Sequence, residues 1–215
     1  MKVVILAGGK GTRISEETSI IPKPMVRVGN KPLIVHIMEH YSYFGFNEFI
    51  IALGYKEDVI KNYFLNFFNL NSDFEINLST NKIKILDKKK LNWKIKLINT
   101  GNNSNTGGRL IHLKKFIKEN EFMLTYGDGL SNVNLKKLVS FHKKHKKLAT
   151  VTIVRPEARF GYIKTNKNNK VTSFIEKPRV DEGFINGGFF VFNKKILDYI
   201  KDEKTVLEKE PLERL

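Results

Sequence analysis

Val3-Val4-Ile5-Leu6-Ala7-Gly8-Gly9-Lys10-Gly11-Thr12-Arg13, with Pro22-Lys23-Pro24-Met25 close behind, is the stretch on which the reading of this chain turns. Val3 to Leu6 is an unbroken apolar run of the kind a buried strand shows. At its end Gly8, Gly9 and Gly11 let the backbone turn sharply and aim N–H groups into one concavity, a shape that suits a polyphosphate. Arg13 and Lys23 add two cations. The prolines flanking Lys23 fix φ and remove donors, which holds that lysine on a stiff extended segment. Two common phosphate motifs do not fit. No Gly-Lys-Ser/Thr follows at the required spacing, and Ile14 stands where a dinucleotide fingerprint places its third glycine.

With 215 residues, of which 41% are hydrophobic, the chain suits a single globular domain spanning residues 1–215. It carries no apolar run approaching about 18 residues and no signal-peptide pattern, so a cytoplasmic protein without membrane insertion is expected. The absence of cysteine excludes disulfides, thiolate metal sites and cysteine nucleophiles. A net charge of +16 first points to nucleic acid. Its make-up, 31 Lys against seven Arg, argues against specific binding, because phosphate and base readout recruit Arg more heavily. The runs Lys88 to Lys90 and Lys143 to Lys147 read as solvated faces.

Downstream of the first loop, Leu33, Ile34, Ile37, Met38, Tyr41 and Phe44 recur at helical spacing over 32–45, with Gly45 placed to end the helix. A strand over Glu48 to Leu53 and a helix from about Lys56 to Phe68 continue the β-α-β-α order of a parallel sheet. The fold class is therefore α/β, a Rossmann-like doubly wound, mostly parallel sheet. Residues 74–99 change character, alternating as strands do, and read as an inserted β excursion with Trp93 as a core or edge anchor. His36 and His40, one helical turn apart, read as packed or solvated and not as a metal pair, since no third ligand is near.

Two further stretches carry candidate chemistry. The polar loop from Asn99 to Leu110 holds Ser104 and Arg109 and enters a helix, where hydroxyls, amides and N–H groups can read a base or hold a phosphate. Arg109 in that helix's first turn opposes the dipole, which favours an anionic ligand beside it. The strand Phe122 to Tyr126 ends in Gly127-Asp128-Gly129, which puts a carboxylate at a strand's carboxyl end, where open α/β sheets place their chemistry. Asp128 is a hard oxygen ligand suited to Mg²⁺. Polar residues at later strand ends, in Glu176-Lys177-Pro178 and Asn186-Gly187-Gly188, point to a second ligand pocket.

In order, the motifs LAGGKGTR, PKPM, TGGRL, TYGDG, RFG, EKP, NGGFFVF and EKEPLERL run from Leu6 to the last residue. With them the chain resembles the sugar nucleotidyltransferase family, and its TGGRL loop and β excursion are similar to the cytidylyl branch. The resemblance implies transfer of a nucleotidyl group from CTP to a sugar 1-phosphate, with Mg²⁺ as cofactor and a homo-oligomeric state. It implies that Leu6, Ala7, Gly8, Gly9, Gly11, Thr12 and Arg13 wrap the nucleotide and that Arg13 and Lys23 act on the departing pyrophosphate. Ser104 and Arg109 would contact the nucleotide and Asp128 the metal, while Glu176, Lys177, Asn186 and Gly187 would line the sugar-phosphate side. Alternatives are a sister enzyme using UTP or dTTP, or a chain that binds nucleotide without turnover.

Ser104 stands where the family often has Thr, and Ile21 where a basic residue is common. The family also continues beyond Leu215, through an Asp that supplies a further metal ligand and a helix that packs on the domain. Relative to the family the chain is thus C-terminally incomplete. Phe189 to Phe192, or the helix over 32–45, is expected to be partly uncovered in consequence, and exposed apolar patches of that kind drive association.

Overall fold

The structure is a computed structural model and describes residues 1–10, 21–87, 91–156, 162–176 and 183–215. The first half contains β1 (Val3–Leu6), a 3-10 turn (Lys23–Met25), β2 (Arg27–Val28), β3 (Lys31–Pro32), α1 (Leu33–Tyr43), β4 (Glu48–Leu53), α2 (Glu57–Leu65) and α3 (Phe67–Asn71). Then come β5 (Phe74–Asn77), β6 (Lys82–Ile85), β7 (Lys94–Asn99), α4 (Thr106–Leu113), β8 (Glu121–Tyr126) and α5 (Leu135–His145). The chain closes with β9 (Ala149–Val154), β10 (Tyr162–Thr165), β11 (Val171–Ile175), β12 (Ile185–Asn193), a second 3-10 turn (Lys194–Tyr199) and α6 (Glu210–Glu213).

Six strands form the central sheet in the order β7-β4-β1-β8-β12-β9. The strands β7, β4, β1 and β8 are parallel neighbours, and β12 lies antiparallel between β8 and β9. From β1 the chain builds outward to β4 and β7, then returns to the opposite side of β1 with β8. The direction of winding therefore reverses between β1 and β8, and open α/β sheets bind ligands beyond the carboxyl ends of the two strands at such a reversal.

Because side chains alternate along a strand, each strand feeds two cores. Val3, Ile5, Phe49, Ile51, Leu53, Phe189 and Val191 pack on one face with Ile34, Ile37, Met38 and Tyr41 of α1, Ile60 of α2 and Leu135 of α5. On the other face, Val4, Leu6, Ile50, Ala52, Phe190 and Phe192 pack with Leu110 and Leu113 of α4, with Ile196 and Leu197, and with Leu207. The doubly wound expectation holds. The expected uncovering of Phe189 to Phe192 does not: all four are buried, because α4, the second 3-10 turn and Leu207 cover one face while α1 and α5 cover the other. The buried face of α1 is likewise filled.

The β excursion is shorter than its sequence pattern indicates. β5 and β6 form an antiparallel hairpin separate from the central sheet, and Phe74, Ile76 and Ile83 stay exposed. Lys94–Asn99 leaves the excursion and pairs with β4 in parallel, because Ile95 and Leu97 find the first core and Ile98 the second. Trp93 is the anchor expected, its ring 6.0 Å from Phe49 and 5.8 Å from Phe67. Gly45 has φ +89 just past α1, a conformation glycine supplies at little cost. His36 Nε2 lies 2.9 Å from the Val28 carbonyl, whereas the ring of His40 packs edge-on against Phe44 and Phe189. Among the described residues, no helix is long and apolar enough to cross a membrane.

Candidate active site

A cavity of about 810 Å³ opens at the carboxyl ends of β1 and β8, where the winding reverses. Leu6, Ala7, Gly8 and Gly9 line it from the end of β1, Lys23 and Pro24 from the 3-10 turn, Ser104 and Arg109 from the polar loop and α4, Asp128 from the end of β8 and Asn186 from β12. Segments far apart in sequence meet here because their strands are neighbours. Gly127 N donates to Leu6 O at 2.9 Å, extending the pairing of β1 and β8 to the cavity's rim. A side chain at 127 would strike the Pro24 ring and the Leu6 carbonyl, so glycine is what lets the three segments close up.

Lys23 Nζ lies 3.6 Å from Asp128 Oδ2, with the two side chains 20% and 47% exposed. At that separation and exposure an ion pair stabilises by about 1 kcal/mol or less. Both charges can therefore be drawn to an incoming ligand at low cost. Among the described residues no group of three or more His, Asp or Glu side chains could hold a metal, and Asp128 offers one carboxylate.

Arg109 is 4% exposed and makes its contacts inside the protein. Its Nη1 reaches Leu53 O at 3.1 Å, Thr100 Oγ1 at 2.7 Å and Gly101 O at 2.9 Å, and its Nη2 donates to Gly8 O at 2.7 Å. Burial pulls its pKa down, yet a guanidinium starts so high that it stays charged. The carbonyl dipoles accommodate that charge. The first glycine loop, the end of β4 and the loop after β7 are thereby tied together through one side chain. A Cβ at Gly8 or Gly54 would overlap this guanidinium. The dipole argument for an anion beside Arg109 is thus answered by the protein's own carbonyl oxygens.

The N-terminus of α4 is occupied in the same way. Asn105 N donates to Glu203 O at 2.9 Å, and Gly107 N and Gly108 N donate to Thr205 O at 3.0 and 3.1 Å. Leu207 N in turn donates to Thr106 Oγ1 at 2.9 Å. Residues 202–208 form a strap laid across the helix end, and side chains at Gly107 or Gly108 would collide with its backbone. Those N–H groups are therefore not free to hold a phosphate, contrary to the expectation from sequence. Ser104, buried at the cavity wall, donates to Thr100 O at 2.5 Å.

Beyond the strap's backbone, Glu208 enters the cavity wall. Its Oε1 accepts from Tyr126 Oη at 2.5 Å and its Oε2 from Thr106 Oγ1 at 2.6 Å. Tyr126 Oη also accepts from Asn186 Nδ2 at 3.0 Å, and Asn186 Oδ1 accepts from Gly188 N at 2.8 Å. Burial, and then the Glu208 carboxylate, push the Tyr126 phenol well above its ordinary pKa.

Residues 2–213 match the family model for nucleotidyl transferase. The chain belongs to the nucleotidyl transferase family. It is 46% identical over 213 residues to a glucose-1-phosphate cytidylyltransferase of Salmonella typhimurium, a match covering 99% of this chain and 82% of that protein. It is 45% identical over 216 residues to a Bacillus subtilis protein named a probable glucose-1-phosphate cytidylyltransferase, covering 100% of this chain and 84% of the relative. Among solved structures it is similar to HddC from Yersinia pseudotuberculosis, with a TM-score of 0.72 and 26% identity over 100% of this chain and 86% of the other.

The site residues expected of a nucleotidyl transferase do not all converge. Glu176 is exposed at the end of the β10–β11 hairpin, a sheet separate from the central one, and does not line the cavity. Gly187 lies against the Thr152 carbonyl of β9, since strand alternation turns it away from the side taken by Asn186. Gly11, Thr12, Arg13 and Lys177 lie outside the described residues. Asn105, Thr106, Tyr126, Ile185 and Glu208 line the cavity without having been singled out by sequence. Tyr126 reads as the last residue of a buried strand and Glu208 as one charge in a tail of mixed charge. Only their membership of the ordered motifs TYGDG and EKEPLERL marks either one.

Proposed function

We propose that this nucleotidyl transferase moves the cytidylyl group of CTP onto a sugar 1-phosphate, glucose 1-phosphate foremost, giving a CDP-sugar and pyrophosphate. The observation that carries the reading is the 46% identity, over 99% of the chain, to a glucose-1-phosphate cytidylyltransferase. A phosphate oxygen of the sugar 1-phosphate attacks the α-phosphorus as the bond to the β-phosphate oxygen breaks. Such an in-line exchange needs positioned reactants and neutralised charge and no protein nucleophile. The switch-point cavity, with Lys23 and Asp128 in its wall, suits that task.

Leu6 to Gly9 hold the nucleotide, with Gly11, Thr12 and Arg13 joining them by family resemblance. Lys23 neutralises charge that grows on the pyrophosphate. Ser104 and Arg109 shape the nucleotide side, Asn186 the sugar side, and Lys177 holds the sugar phosphate by resemblance. Asp128 fits Mg²⁺ in the manner in which that ion is bound to nucleotides, through one or two carboxylates with phosphate oxygens and water completing its shell. When bound, Mg²⁺ supplies Lewis-acid neutralisation of phosphate charge. With CTP as the donor, the working compartment is the cytoplasm.

Pyrophosphate release from CTP, UTP and dTTP, each with glucose 1-phosphate and Mg²⁺, tests the reading. CTP should support turnover with CMP found in the sugar product. Turnover with UTP or dTTP alone would place the chain in a sister branch, and calorimetric binding of CTP without turnover would make it a nucleotide-binding protein.

A further inference from the structure

Glu208 joins two walls of the cavity that the sheet does not join. Thr106, on the nucleotide side, opens α4, whereas Tyr126 and Asn186, towards the sugar side, end β8 and begin β12. One carboxylate accepts a hydroxyl proton from each wall, Thr106 Oγ1 at 2.6 Å and Tyr126 Oη at 2.5 Å. An ionised carboxylate is acceptor-only, so both hydroxyls are compelled to donate to it. With its proton committed, the Tyr126 oxygen presents lone pairs alone, and the Asn186 amide answers with Nδ2 at 3.0 Å. That fixes the amide's orientation, because Gly188 N occupies Oδ1 from the other side. The direction of every bond in the relay follows from the charge on Glu208.

We propose that Glu208 is a positioning residue for the sugar 1-phosphate, acting through Tyr126 to hold the Asn186 amide in one orientation while Thr106 anchors the carboxylate to the nucleotide wall. The proposal rests on the cytidylyltransferase reading. Its carrier is the strap, whose backbone docks on the N-terminus of α4 through Asn105, Gly107 and Gly108 and so delivers Glu208 to the cavity. A glutamine at this position keeps the shape and the docking. It offers one acceptor and one donor where two acceptors stood, so one of the two hydroxyls must reverse its bond.

The test is a double-mutant cycle of Glu208→Gln and Tyr126→Phe, with KM for glucose 1-phosphate and for CTP measured separately. Each single variant should raise KM for the sugar phosphate by about tenfold, the effect of losing one well-formed hydrogen bond. KM for CTP should change by less than about twofold, and the double variant should be no worse than the poorer single one, since both remove the same relay. Multiplying effects, an equal rise in KM for CTP, or an unchanged KM for the sugar phosphate would overturn the proposal. A second measurement needs no turnover. The side-chain amide ¹⁵N–¹H signals of Asn186, assigned from their loss in Asn186→Ala, should shift in Glu208→Gln and in Tyr126→Phe alike, because both release the amide from its bond to the Tyr126 oxygen. Signals unmoved in both variants would overturn the relay. Shifted signals in a protein that turns over no CTP would support the relay and count against the proposed function alone.

Discussion

Two glycine pairs of near-identical composition, Ala7-Gly8-Gly9 and Thr106-Gly107-Gly108, meet opposite fates in this fold. A side chain added at Gly9 would meet nothing within 4 Å among the described residues, so none of them fills the space beside it. Side chains at Gly107 and Gly108 would collide with the backbone of Thr205 and Glu203, so the space beside them is filled by the protein itself. Gly8 falls between, giving room to the Arg109 guanidinium. Glycine in a loop thus marks a close approach, and only the surroundings say whether ligand, side chain or backbone makes it.

The ligand-facing half of the comparison is sharpened most by Lys23→Ala. Lys23 contributes one long ion pair to the folded protein and one full charge to the cavity. Its loss should lower turnover with CTP by roughly 100- to 1,000-fold, the range found when a group acting on transition-state charge is removed. Thermal stability should change by about 1 kcal/mol or less. Steady-state kinetics beside a melting curve checks both. A large loss of stability in the ligand-free variant would mean that Lys23 belongs with the packing residues.

The protein-facing half is broken by Gly108→Ala. The added methyl meets the Glu203 carbonyl, which no rotamer change can move aside, so the strap must lift. Overpacking of that kind costs about 1–3 kcal/mol, and about 3 kcal/mol would lower Tm by roughly 6–12 °C in a domain of this size. A melting temperature within a degree or so of the parent's would show that the strap does not bear on the helix end in solution.

The sheet was legible from the chain because its strands are dense apolar runs. Val3 to Leu6 and Glu48 to Leu53 stand where their patterns place them, and the period-2 alternation within them assigns residues to the two cores. The strand expected over Lys94–Asn99 is present but belongs to the central sheet, because alternation is the same whether a strand lies in a hairpin or at the edge of a sheet, and only pairing with β4 tells them apart. In the site, Lys23, Ser104, Arg109, Asp128 and Asn186 could be picked out by charge or by position at a strand end, and all five line the cavity. What Arg109 bonds to could not be read. Three of its four partners are the backbone carbonyls of Gly8, Leu53 and Gly101, beside the Thr100 hydroxyl, and a backbone group leaves no trace in residue identity. The same holds for the N-terminus of α4. A helix end preceded by polar residues reads as an anion site until a distant segment, here 203–207, is seen to take its donors.

The smallest expected change in stability, and the one that bears most directly on the two glycine pairs, is Gly9→Ala. Gly9 is exposed, has open space on its side-chain face among the described residues and lacks the positive φ that would strain an alanine. Replacing glycine with alanine under those conditions removes freedom from the unfolded chain and stabilises by about 0.4–1 kcal/mol. Should Gly9 be needed only to end a strand, nothing else would follow, and CTP would bind as before. If the concavity is shaped for nucleotide phosphates, the methyl group stands where they must approach the backbone, and affinity for CTP should fall by about tenfold or more, the cost of one displaced hydrogen bond. Calorimetry on a variant that melts no lower than its parent separates the two outcomes. Unweakened CTP binding would put Gly9 with Gly107 and Gly108 as a residue of chain geometry, and the contrast between the two pairs would fall.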